Sequence, residues 1–254
     1  MADFQYAQAR TGVADMSVDA GLRGFMLGVY NKLMLGIGLA AGLAFAAGTY
    51  EPLTQLIFGT PLLYVIMWGP VVLLLGSSFL MRNPSPLATG ILYWSIVTMI
   101  GLSMGVYVLM ANDSITSTSR GGIGLSLSYL TIAKAFLITA SSFGALSLYG
   151  YTTKRDLSGI GSFAVMALWG VVALSVLNLI LPPSSMVEWI IMGAVFVLSA
   201  VLVATNTQQL KHAYYEWGGD VRSKAVLTNY GALNFFISFV NMFRIVLMIL
   251  GSRR

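Results

Sequence analysis

Long apolar runs separated by short polar breaks make up most of this chain. Seven such runs cover residues 25–47, 62–81, 87–110, 130–150, 161–181, 186–205 and 229–251. Each is about twenty residues long, and at about 1.5 Å per residue that is enough to cross a hydrocarbon core about 30 Å thick. Lipid offers no partner to a free backbone N–H, so spans of this kind are expected to be helices, and no period-two alternation marks a barrel strand. The breaks carry the residues that interrupt helices, as in "TYEP", "RNPSP", "NDSITSTSRGG" and "LPPSS". The pattern predicts an all-α integral membrane protein with seven transmembrane helices. Residues 1–24 form a tail, 25–251 the membrane domain and 252–254 a short end.

Composition agrees with the pattern. Only 9% of the 254 residues are charged, against about 25% in a soluble domain, so a water-facing surface is beyond reach. There is no cysteine, which excludes disulfides, zinc–thiolate sites, iron–sulfur clusters and a thiol nucleophile. The net charge of +5 is not gathered into a basic patch interleaved with aromatics, which argues against nucleic acid as a partner. Residues 25–47 are too long and begin too late for a cleaved signal peptide, and no transit peptide is expected.

The basic residues report orientation instead. Arg10, Arg23, Arg82, Lys154, Arg155, Lys211, Arg222 and Lys224 fall in one alternating set of breaks, eight in all, against Arg120, Arg253 and Arg254 in the other. Eight against three predicts a cytoplasmic N-terminus and a C-terminus outside. The terminal arginines sit poorly with that count unless the last helix is short or buried in the centre of the bundle.

All nine acidic residues fall in the breaks or near run ends, with Glu188 the closest to the interior. Proton relays and divalent-cation paths use buried carboxylates, so the usual equipment is missing. Three basic residues lie inside runs: Lys32, Lys134 and Arg244. Lys32 is near enough to its helix start to snorkel, whereas Arg244 reads as a buried group. Asn234, Ser238 and Asn241 are spaced by four and three, and Arg244 continues the stripe along one face of the last helix. Such a stripe is either water-lined or interhelical glue. Asn178, Asn206 and Gln208 add polar groups to the late runs, and His212, the one histidine, reads as an exposed bystander. Glycines spaced by four (24/28, 38/42, 101/105) read as helix packing more than as a dimer face. With no phosphate loop, HExxH or GxSxG present, neither an enzyme nor a cofactor is expected.

The stretch "GYTTKRDLSG" places Tyr151, Thr152, Thr153, Lys154, Arg155 and Asp156 in a hairpin between the fourth and fifth runs. Lys154 and Arg155 suit anionic headgroups, and Asp156 suits the start of the next helix. Hydroxyls of the lead bond the last carbonyls of the preceding helix, or the motif docks a partner.

Residues 141–163, "SSFGALSLYGYTTKRDLSGIGSF", closely resemble the signature of the Bax-inhibitor (transmembrane BAX inhibitor motif) family in its bacterial branch. "LRGFMLGVYNKL", "TIAKAFLITA", "NTQQLKHAYYE" and "NYGALNFFISFVNMFRIVLMILG" extend the likeness from residue 22 to the C-terminus. The resemblance implies a seventh helix central in a ring of six, a bacterial inner membrane, and a pH-sensitive calcium leak gated by two aspartates. It also implies a membrane-bound AAA protease among the partners. The chain departs from that pattern, because Asn206 and Ser238 stand where the aspartates are expected, and Met248 stands where the family has an arginine. Pore or gate candidates are therefore Asn206, Ser238, Asn241, Arg244, Asn234 and Lys134, with no metal ligands among them. Asn and Ser do not titrate, so a leak is expected to be weak or pH-insensitive. The alternative is an interaction subunit or modulator of a membrane complex with no ion transport.

Overall fold

The computed structural model describes residues 20–80, 83–115, 127–180 and 185–251, and among these residues the regular structure is entirely helical. In chain order the helices are α1 (Ala20–Thr49), α2 (Glu51–Phe58), α3 (Leu62–Leu80), α4 (Pro86–Ile115), α5 (Tyr129–Thr152), α6 (Ser158–Ile180), α7 (Ser185–Trp217) and α8 (Val221–Gly251). Each apolar run of the sequence became one long helix. The eighth, α2, is two turns built inside the first polar break, with Pro52 in its first turn where a missing N–H costs nothing.

Among the described residues five helices are long and apolar enough to cross a membrane alone: α1, α4, α5, α7 and α8. The pair α2 and α3 passes the same test only when taken together, with a bend of 69° between them, and α6 contributes the shorter apolar stretch Ser158–Leu174. Helix α8 packs against α1, α4, α5 and α7, while α3 lies on α4 and α6 on α7. Half of the apolar window of α8 is buried, the largest share among the five spans. Its Phe235, Phe236, Phe239 and Met242 join Phe25 and Val29 of α1, Tyr93 and Ile96 of α4, and Phe143 of α5 in one core. Aromatic rings knit that core, with Phe143 edge-on to both Phe235 and Phe239 at 5.8 Å.

A close seam joins α1 to α4, the pair of helices that share the longest contact. A Cβ built on Gly101 would stand 2.8 Å from Cα of Ala40, and one on Gly105 would stand 2.7 Å from Cβ of Ala47. Glycine is required there because the two backbones approach too closely for any side chain. The same spacing at Gly24/Gly28 and Gly38/Gly42 meets nothing within 4 Å, so those two pairs do not pack helices inside the bundle.

Candidate functional site

The polar stripe of α8 runs along an otherwise buried helix. Asn234, Asn241 and Arg244 are exposed and Ser238 is half-buried, while Phe235, Phe236, Phe239, Val240 and Met242 are buried around them. Asn241 and Arg244 line a cavity of about 420 Å³ between α3, α4 and α8, near the bend that joins α2 to α3. Nε of Arg244 donates to the hydroxyl of Tyr107 across that cavity at 3.3 Å. Arg244 is therefore cavity-lining rather than buried: its guanidinium is left with room to keep water, which removes the desolvation cost of burial. Among the described residues no side-chain hydrogen bond joins Asn234, Ser238 or Asn241 to another helix. Lys134 is exposed near the start of α5 and lines none of the three principal cavities.

On α7 three consecutive residues point to three fates. Asn206 is half-buried, and no hydrogen bond joins it to Ser238 among the described residues. Thr207 is fully buried, and its hydroxyl bonds Ser147 of α5 at 3.1 Å. Ser147 in turn shares a hydrogen bond with the Tyr30 hydroxyl, so α1, α5 and α7 are tied by one chain of hydroxyls. Gln208 reaches the turn between α5 and α6. Its Oε1 accepts from the buried N–H of Leu157 at 2.8 Å, and its Nε2 donates to the carbonyl of Arg155 at 2.7 Å. Next on the same helix, Nζ of Lys211 donates to the carbonyl of Tyr151 at 3.2 Å and lies 5.6 Å from the centre of its ring.

That clamp explains the "YTTKRDLS" stretch. Thr152 donates to the carbonyl of Leu148 at 2.8 Å, as expected of hydroxyls at the end of α5. Thr153 accepts from the N–H of Arg155 at 3.3 Å. The carboxylate of Asp156 accepts from the N–H of Ser158 at 2.8 Å, at the first residue of α6. That backbone bond, with the Ser158 side chain and a smaller contribution from His212, holds the Asp156 carboxyl below the usual carboxylate range. Lys154 and Arg155 are exposed beside it, and His212 is exposed on α7. The side chains of Asn178 and Glu188 lie outside the described residues, as do Arg10, Arg82, Arg120, Arg253 and Arg254.

A second polar network was not anticipated. Lys32 finds partners within the bundle. Its Nζ donates to Oδ1 of Asn229, and its ammonium lies 5.3 Å from the centre of the Tyr93 ring. The Asn229 amide nitrogen donates to Thr89 at 2.8 Å and to the carbonyl of Pro86 at 2.9 Å, which turns its oxygen toward the lysine. The Tyr93 hydroxyl donates to the carbonyl of Lys32 at 2.7 Å. A lysine placed this way keeps polar and π partners from α4 and α8, which compensates the cost of leaving water. Asn229 lies at the polar start of the last apolar run, on α8, and its amide was the one signal in the sequence that could have pointed to it.

Long apolar helices tied together by hydroxyl and amide networks define a multi-pass membrane protein. The chain belongs to the Bax inhibitor family: the family model described as "Inhibitor of apoptosis-promoting Bax1" matches residues 22–254. It is 31% identical over 238 residues to the inner membrane protein YbhL of Escherichia coli K12, covering 92% of this chain and 94% of that one. A Caulobacter vibrioides protein is 41% identical over 266 residues and all of both chains. A Rickettsia prowazekii protein is 33% identical over 237 residues, 93% of this chain and 92% of the relative.

Proposed function

We propose that this protein is a Bax-inhibitor-type calcium leak whose pH switch is gone, so that any flux is weak and insensitive to pH. The carrying observation is that Asn206 on α7 and Ser238 on α8 are neutral groups at the positions where the resemblance implies paired aspartates. Two close carboxylates share a proton and titrate as a coupled pair, whereas an amide and a hydroxyl have nothing to titrate. The cationic Arg244 in its cavity further disfavours a divalent cation.

In this reading the bent pair α2 and α3 makes one crossing and α6 another, giving seven, with α8 in the middle. The packing of α8 on four helices supports it. The eight-to-three basic count supports a cytoplasmic N-terminus. The name of the YbhL relative supports the bacterial inner membrane.

The second reading, a modulator of a membrane complex such as a membrane-bound AAA protease, is favoured by where the polar groups go. Tyr30, Ser147, Thr207, Lys32, Asn229 and Thr89 are engaged with one another rather than free to line a conduit.

Calcium flux into proteoliposomes between about pH 5 and 8 tests both, with Asn206→Asp/Ser238→Asp beside the native chain. Weak, flat flux in the native chain and pH-dependent flux in the variant is expected. Native flux that changes with pH overturns the loss of the switch. No native flux, with flux gained in the variant, selects the modulator.

A further inference from the structure

A groove runs along the bundle between α1 and α5. One half, about 680 Å³, is lined by residues that include Met26, Met34, Phe143 and Leu148, with Arg23 and Tyr151 at its end. The other half, about 520 Å³, lies between residues that include Phe45 of α1 and Phe136 of α5. Ile37 and Phe239 line both halves, so the two adjoin over the aromatic floor supplied by α8.

Polarity along the first half is graded in one direction. The hydroxyls of Tyr30 and Ser147 are bonded to each other and to Thr207, which leaves an apolar wall. At the end where α1 begins the chemistry is cationic. Arg23 is exposed there and has no acidic partner among the described residues, and the Lys211 ammonium rests beside Tyr151. Of the described acids at that end, Asp156 accepts from Ser158, Glu216 accepts from Trp217, and Asp220 is exposed just before α8. From Arg23 to Ile37 the helix rises about 21 Å, which matches a headgroup plus the half-thickness of about 15 Å of one leaflet. A partner helix would meet no spare hydrogen-bonding group in this wall to fix its register, whereas an amphiphile with an anionic end fits both the length and the charge.

We infer that the groove is a binding site for an anionic phospholipid, its phosphate against Arg23 and one acyl chain laid over Phe143 and Phe239. This site is separate from the α8 stripe and does not depend on whether the protein conducts ions.

Native mass spectrometry of the purified full chain, with phosphatidylglycerol or phosphatidylethanolamine in mixed micelles, tests the assignment. The native chain should retain phosphatidylglycerol preferentially. Arg23→Gln should cut that preference about fivefold, the equivalent of about 1 kcal/mol for one basic residue at a lipid surface. Gly144 lines the groove, and a Cβ there meets nothing within 4 Å, so Gly144→Phe starts from open space and carries its ring into the groove. That variant should lose retention of the tightly held lipid while melting at the native temperature. Equal retention of both lipids by the native chain overturns the proposal. So does undiminished phosphatidylglycerol on Gly144→Phe, or a change of oligomeric state without lipid loss. If Gly144→Phe does not fold, Ala140→Leu on the same wall takes its place.

Discussion

Gln208 on α7 holds Leu157 at the start of α6: its side-chain oxygen accepts from the buried Leu157 N–H at 2.8 Å while its nitrogen donates to the Arg155 carbonyl at 2.7 Å. One side chain thus satisfies both a donor and an acceptor of a turn that has no ladder of its own. The turn is irregular backbone at a helix end, where unpaired groups must find side-chain partners or water.

Gln208→Ala should therefore destabilise the bundle by about 1–3 kcal/mol, the cost of leaving a buried backbone donor unpaired. The readout is thermal unfolding in detergent. A melting temperature unchanged by the substitution would show that water replaces the amide at no cost.

Lys32 and Asn229 should behave as one unit. Lys32→Met and Asn229→Ala each remove one side of the same hydrogen bond, so their effects should fall short of additive by about 0.5–3 kcal/mol in a double-mutant cycle. Additive losses would mean that the lysine draws its stabilisation from Tyr93 alone.

The glycines separate by location. Gly101→Ala should cost about 1–3 kcal/mol, because its Cβ falls 2.8 Å from the backbone of Ala40 and α1 must move away from α4. Gly38→Ala, with nothing within 4 Å, should be neutral or slightly stabilising by raising helix propensity. Melting curves of the two variants side by side decide the matter; equal losses would refute the close seam.

Asp156 supplies a pH dependence with a definite sign. Its carboxyl is held below the ordinary value by the Ser158 N–H, so the bond contributes at pH above the unfolded value of about 3.9 and is lost as pH falls below it. The melting-temperature gap between the native chain and Asp156→Ala should be present at neutral pH and close in acid. A gap that stays constant down to about pH 3 would place the stabilisation elsewhere.

Much of this architecture was written locally. A run of twenty apolar residues has one stable form in lipid, because each N–H must bond within its own segment, and so the seven long helices followed from hydropathy alone. Asp156 and the hydroxyl of Thr152 also act on their own chain within a few residues, where spacing is informative. The family was legible for a similar reason, since its signature is a contiguous stretch around the α5–α6 turn.

What lay beyond the sequence was every relationship that depends on which helix stands next to which. Three glycine pairs share one spacing, and only Gly101/Gly105 faces another helix closely, because packing partners and not periodicity decide what a small residue meets. Lys32 has a partner that no local pattern names, Asn229 of α8, 197 residues away in sequence. Arg244 read as buried until the bend between α2 and α3 left a cavity beside it. Sequence determined that this chain is a bundle of membrane-spanning helices and which chemistry it lacks, because solvation by lipid acts on each segment separately. The tertiary structure alone decided which polar groups are engaged and which face open space, because hydrogen bonds and cavities belong to pairs of helices.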